Sequence, residues 1–230
     1  GSTIFNAYKN TIVVTVIGTA ANLIMSSMAA YSLSIKKLPF RNVINFYIFF
    51  TMLFNGGLVP SYLMWSSTFH IKNTLWAMIL PNFLCSAMNV ILMRTYYMTS
   101  IPEALYEAAK IDGASYFYIY HKIVLPMGKP IMVTVGLFSG LSYWNDWTNG
   151  LYYINDTKLY SIQTLLNKMI QDIQAMQANA ASASSGAAMS IPTVSVRMAI
   201  AIVALLPILV MYPFLQKYFA EGIALGAVKG

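Results

Sequence analysis

The sequence predicts an all-α integral membrane protein. Of its 230 residues, 58% are hydrophobic and only 9% charged, with a mean hydropathy of +0.61, whereas about a quarter of the residues of a soluble domain are charged. The apolar residues gather into runs long enough to cross a bilayer. The net charge of +7 is spread thinly at the ends of those runs and not along one stripe, which argues against nucleic acid as a partner and for the lipid bilayer as the medium.

Residues 11–34 form the first uncharged run. At 1.5 Å per residue it reaches about 36 Å, against a hydrocarbon core of about 30 Å. Its many small residues, among them Gly18, Ser26, Ser27, Ala29 and Ala30, let neighbouring helices approach closely and place it inside a bundle. The connector Lys36-Lys37-Leu38-Pro39-Phe40-Arg41 carries no acid, so the positive-inside rule makes it cytoplasmic. A second span, 43–64, is interrupted by Gly56, Gly57 and Pro60, which predicts a kinked or unwound outer half. The loop 65–73 then faces outward; its His70 is read as merely solvated. The third span, 74–98, holds Pro81 in its outer third and Arg94 near its inner end. That arginine snorkels to the headgroups, or alternatively pairs with the following connector.

Crossing order puts 100–126 on the cytoplasmic side, and this stretch is patterned. Ser100 and Glu103 have the spacing of a capping box, Pro102 suits a first turn, and Gly113 offers a left-handed turn between two short amphipathic helices. The tyrosines and Phe117 are expected to pack on the floor of the bundle. A fourth span, 131–149, carries Gly136 and Gly140 at GxxxG spacing and ends in Tyr143-Trp144-Asn145-Asp146-Trp147. That end is either an aromatic belt or a rim that touches solute. Trp144, Asn145 and Asp146 are the solute-path candidates, because polar groups at membrane depth face protein or water.

Residues 150–197 form an extracellular loop. Its part 159–176 repeats Ile162, Leu165, Leu166, Met169, Ile170 and Ile173 as an amphipathic helix, free to lie on lipid, on the bundle or on an outside partner. The small-residue tract 178–190 is expected to be flexible. The sequon at Asn155 is read as chance. A fifth span, 198–219, with Pro207 and Pro213, precedes a cytoplasmic tail. Cys85 lies alone in an apolar run, so neither a disulfide framework nor a metal site is expected, and no cofactor. The start at Gly1, with no signal peptide, is expected of a fragment or a processed chain.

The cytoplasmic stretch resembles the EAA motif of ABC-importer permeases. It reads Glu107-Ala108-Ala109, then Asp112-Gly113-Ala114, then Ile123-Val124-Leu125-Pro126. The Asp112-Gly113-Ala114 variant, the Trp144-Asn145 pair, Asn10-Thr11 and the terminal Gly226-Ala227-Val228-Lys229-Gly230 are similar to the carbohydrate-importing branch. The resemblance covers essentially the whole chain. It implies a type I importer permease fold in a bacterial or archaeal cell membrane, in which six spans are usual and five are visible here. It also implies partners: a second homologous permease subunit, a dimer of cytoplasmic ATP-binding subunits, an extracellular solute-binding protein and a sugar substrate. Glu107, Ala108, Ala109, Asp112, Gly113 and Ala114 then become the elements that couple to the ATPase. The chain shows no HExxH, GxSxG or Walker lysine, so ATP chemistry is expected in a partner and none here. Two other readings remain open at this stage: the same architecture carrying a non-sugar solute, and an intramembrane enzyme or structural anchor.

Overall fold

A computed structural model describes residues 2–81 and 84–182, together with Met198, Ile202, Leu205 and Leu209. The span read at 198–219 and the tracts on either side of it otherwise lie outside the described residues. Helix α1, Ser2–Ser34, is the central element. It contains no proline, and its single glycine sits where close approach is needed. Two further helices, α5 (Ala87–Ser100) and α9 (Lys129–Asn145), pack along it. Ser26, Ser27 and Ala30 are fully buried there; such small side chains permit the van der Waals contact that holds helices together in lipid, where apolar burial alone gives little.

The C-terminal end of α1 stops before Pro39, and its Leu33 carbonyl is met by two arginines. Arg41 Nε donates to the Leu33 carbonyl at 2.9 Å and Arg94 Nε to the same oxygen at 3.1 Å. Cations suit the negative end of a helix. Arg94 pairs with no acid among the described residues; its Nε caps α1.

The segment read as the second span is two elements. Helix α2, Arg41–Leu53, meets α3, Leu58–Leu63, and the π turn Met64–Thr68 at an angle of 109°. Gly57, at φ +88°, makes the corner, and its N–H is held by the Asn55 side chain at 2.8 Å. No residue of α2 is buried. One helix is long and apolar enough to cross a membrane by itself, and up to three if each bent pair counts as one, among the described residues.

The segment 74–98 is broken as well. The short α4, Trp76–Ile79, ends before Pro81, and α5 starts only at Ala87. The break frees backbone carbonyls inside the bundle, where each unmet one is costly. Three distant side chains meet them. Tyr143 Oη donates to the Ile79 carbonyl (2.9 Å), Asn149 Nδ2 to that of Pro81 (3.4 Å) and Asn22 Nδ2 to that of Leu84 (3.3 Å).

Asn22 also belongs to a polar cluster joining three helices. Its Oδ1 accepts from Asn89 Nδ2 at 3.1 Å and from the Ser139 hydroxyl at 3.0 Å, and Asn89 Nδ2 also lies 3.1 Å from Ser139 Oγ.

Beyond α9, helix α10 (Thr148–Tyr153), a 3₁₀ turn (Thr157–Leu159) and helix α11 (Ile162–Ser182) fold back over the outer end of α1. Ile162, Leu165, Leu166 and Ile170 bury against Ala7 and Tyr8. Thr11 Oγ1 accepts from the Ile162 N–H at 2.8 Å. Of the three places open to this amphipathic helix, the bundle holds its first turns.

Candidate functional site

Two polar regions sit at opposite ends of the bundle. The inner one is built from α6 (Glu103–Ile111), α7 (Tyr116–Ile119), the π turn Tyr120–Val124 and α8 (Leu125–Met127). Helix α6 begins after Pro102, which drives the preceding Ile101 into extended backbone (φ −104°, ψ 115°). The capping box expected at Ser100 and Glu103 is therefore absent: Ser100 is the last residue of α5, no side chain caps α6, and Glu103 instead forms an ion pair with Lys36.

Helix α6 ends as a glycine turn should. Gly113 adopts φ +75°, the Asp112 N–H reaches the Ala108 carbonyl at 3.0 Å and the Ala114 N–H that of Ala109 at 2.9 Å. A Cβ on Gly113 would meet nothing within 4 Å, so the glycine serves conformation and not close packing. Ser115 then caps α7, its Oγ accepting from the Tyr118 N–H at 3.2 Å. A serine just before an apolar four-residue run was a legible signal for that cap.

Helices α6 and α7 with the glycine turn between them form one bent rod, and its second helix is anchored in the bundle. Ile119, Tyr120 and Val124 are buried in a cluster with Ala30, Met93 and Tyr97, and Tyr31 Oη donates to the Tyr116 carbonyl at 3.2 Å. Ala109 and Ala114 lean on the same cluster. Glu107, Ala108, Asp112 and Gly113 are exposed. Ile111 and Phe117 are 86% and 71% exposed, so Phe117 does not pack on the bundle floor; Ile119, Tyr120 and Val124 make that contact instead. Tyr116 and Tyr118 likewise keep more than half of their surface open.

At the outer end the three candidates separate. Trp144 is buried and its Nε1 has no hydrogen-bond partner. Asn145 is exposed; its Nδ2 donates to the Leu141 carbonyl at 2.9 Å and its Oδ1 accepts from Gln163 Nε2 at 3.5 Å. Asp146 has a structural use that spacing did not reveal. Its Oδ1 accepts from the N–H groups of Thr148 (3.0 Å) and Asn149 (3.2 Å), capping α10, while Oδ2 is buried without a partner. On the same outer face Lys168 Nζ donates to Tyr160 Oη at 2.7 Å, and that bond holds the ammonium pKa above its ordinary value.

The chain's relatives fit this architecture. Residues 22–225 match the family described as binding-protein-dependent transport system inner membrane component. The chain is 40% identical over 226 residues to the polygalacturonan/rhamnogalacturonan transport system permease protein YtcP of Bacillus subtilis (strain 168), covering 97% of this chain and 77% of that one. It is 36% identical to protein LplC of the same organism, covering 95% and 72%. Among solved structures, a chain of a bacterial ABC transporter involved in the import of the acidic polysaccharide alginate superimposes with a TM-score of 0.80 at 32% identity, covering 95% of this chain and 76% of that one. With the helix, glycine turn and helix of the EAA motif in place at one end of the bundle, the chain belongs to the family of binding-protein-dependent transport system inner membrane components and has the ABC-importer permease fold.

Proposed function

We propose that this chain is the membrane-spanning permease subunit of an ATP-driven, binding-protein-dependent importer of oligosaccharides, and that residues 100–126 couple it to the ATPase. The observation that carries the coupling role is the two-sided construction of the rod. One side is locked into the bundle by Ile119, Tyr120 and Val124, and the other presents Leu105, Ala108, Ile111 and Phe117 to the exterior. Exposed apolar groups on a rigid, capped element suit burial in a cleft of another protein. Nucleotide-driven movement of that cleft then passes as a rigid-body push into α1, α5 and α9, exposing the solute path to alternate sides.

In this reading the segments 11–34, 43–64, 74–98, 131–149 and 198–219 cross a bacterial or archaeal plasma membrane. The subunit hydrolyses no ATP itself, a second homologous permease completes the path, and an extracellular binding protein delivers the sugar. The carbohydrate class rests on the relatives, two of which carry polygalacturonan or rhamnogalacturonan and alginate in their descriptions. Asn145, exposed at the outer end, is the side chain best placed to meet solute.

The test is uptake of labelled oligogalacturonides by cells expressing the full importer, alongside co-purification of the ATPase. Gly113→Trp is expected to leave the permease in the membrane while removing both ATPase association and uptake. Normal uptake by that variant would overturn the coupling role.

A further inference from the structure

Three buried hydroxyls meet where the bent rod joins the bundle. Tyr120, in the π turn, donates from its Oη to Ser27 Oγ of α1 at 3.1 Å, and the same serine oxygen lies 2.8 Å from Tyr97 Oη of α5. Ser27 and Tyr97 are 0% exposed and Tyr120 is 8% exposed. Burying polar groups costs stability that a plain apolar contact does not, and phenylalanine or aliphatic side chains would fill the same space. An apolar contact slides, whereas a hydrogen bond holds its donor and acceptor to a distance and an angle.

Helix α1 grips the rod at two points, one helical turn apart. Ser27 holds the Tyr120 side chain. Tyr31, the next residue along the same face, donates to the Tyr116 carbonyl at 3.2 Å, and its ring lies against that of Tyr120 with the centroids 5.4 Å apart. Held at both Tyr116 and Tyr120, the rod cannot pivot about either contact alone. Helix α5 is engaged on two sides as well. Beyond its link to Ser27, the Tyr97 ring closes on Gly128, where a Cβ would sit 2.7 Å from Tyr97 Cε1. Gly128 is the corner at which Tyr116–Met127 and Lys129–Asn145 meet at 79°. The hydroxyl of Tyr97 thus meets α1 while its ring meets the root of α9.

We infer that Tyr120 is the positioning residue through which the rod drives the bundle, its hydroxyl passing motion to α1 through Ser27 and on to α5 through Tyr97. The inference rests on the coupling role proposed above and adds the atoms that carry it. Ile119 and Val124 keep the rod seated by apolar packing, and the hydroxyl fixes its angle to the two helices. Hydroxyl hydrogens rotate to suit their acceptors, and the Ser27–Tyr97 link can be donated from either side. The joint therefore follows small helix movements without leaving a buried oxygen bare.

The importer, reconstituted in liposomes with its partner subunits and binding protein, is assayed for ATP hydrolysis and for uptake of labelled oligogalacturonide, and the two are taken as a ratio. A loss of protein yield or melting temperature alone leaves that ratio unmoved. Tyr120→Phe keeps the ring and loses the hydroxyl. It is expected to retain ATPase association and hydrolysis while uptake per ATP falls about fivefold, the factor that one hydrogen bond is worth. Tyr97→Phe, which leaves the link between Tyr120 and α1, should lower the ratio less. Ser27→Ala combined with Tyr120→Phe should lower it no further than Ser27→Ala alone, because both remove the same bond. An unchanged ratio in Tyr120→Phe overturns the joint, and so do effects that multiply in the double variant. Loss of ATPase association in Tyr120→Phe would make the phenol a docking group instead. A cross-link from Ile111→Cys to the ATPase subunit tests the coupling role separately: its absence sinks that role, and its presence with an unchanged ratio sinks only the hydroxyl joint.

Discussion

Gly18 lies flat against the ring of Tyr143: a Cβ on this glycine would sit 2.5 to 2.7 Å from three ring carbons. The ring cannot retreat, because its hydroxyl is bonded to the Ile79 carbonyl. Gly18→Val is therefore expected to destabilise the bundle by about 1–3 kcal/mol, read as a lowered melting temperature of the detergent-solubilised importer. Gly140, of the GxxxG pair, would place its Cβ 3.5 Å from Thr19 Oγ1, an ordinary contact, and Gly140→Ala should be nearly silent in the same melt.

The Asn22, Asn89 and Ser139 cluster ties α1, α5 and α9 at one depth. Asn22→Ala removes the acceptor shared by the other two and the donor to Leu84. Interhelical hydrogen bonds in membranes average about 0.6 kcal/mol, so a loss of about 1–2 kcal/mol is expected. Ser139→Ala should cost less, since Asn89 keeps its bond to Asn22. Equal melting shifts for the two variants would contradict this ordering.

At Gly113 the demand is for a left-handed backbone in open space. Asparagine tolerates that conformation and bulky residues do not. Gly113→Asn should thus retain most uptake and ATPase association, where Gly113→Trp loses both. Equal behaviour of the two variants would contradict the demand for a left-handed backbone at this position.

Asp146 and Asn145 should separate cleanly. Asp146→Ala removes the cap of α10 and is expected to cost about 1 kcal/mol of stability, while Asp146→Asn restores most of it. Asn145→Ala should leave the melting temperature unchanged and alter uptake or its specificity, without loss of ATPase association. A melting shift with unchanged uptake would remove Asn145 from the solute path.

The rod at 100–126 was legible because its signals are local: a proline, a positive-φ glycine and two short periodic runs within one stretch. The face of 159–176 was legible for the same reason, and Ile162, Leu166 and Ile170 do turn to α1. The break between Ile79 and Ala87 was not. Pro81 marks it, but an unwound stretch within a bundle persists only because Tyr143, Asn149 and Asn22 meet its carbonyls from more than sixty positions away. The cap made by Asp146 was hidden for a related reason: nothing in the sequence marks the start of the short helix it serves. The orientation of Phe117 turned on which face of α7 met the bundle, and the run Tyr116-Phe117-Tyr118 is aromatic on every side.

The anchoring residues Tyr120 and Val124 are the two ends of one wide turn, whose backbone is wound as a π helix. Such a turn stores an extra residue relative to α geometry, and each residue of an α-helix corresponds to about 100° of rotation. Rewinding that turn would swing Ile111 and Phe117 around the rod's axis with no side chain replaced. The direction in which α6 and α7 face is then a choice among main-chain hydrogen bonds.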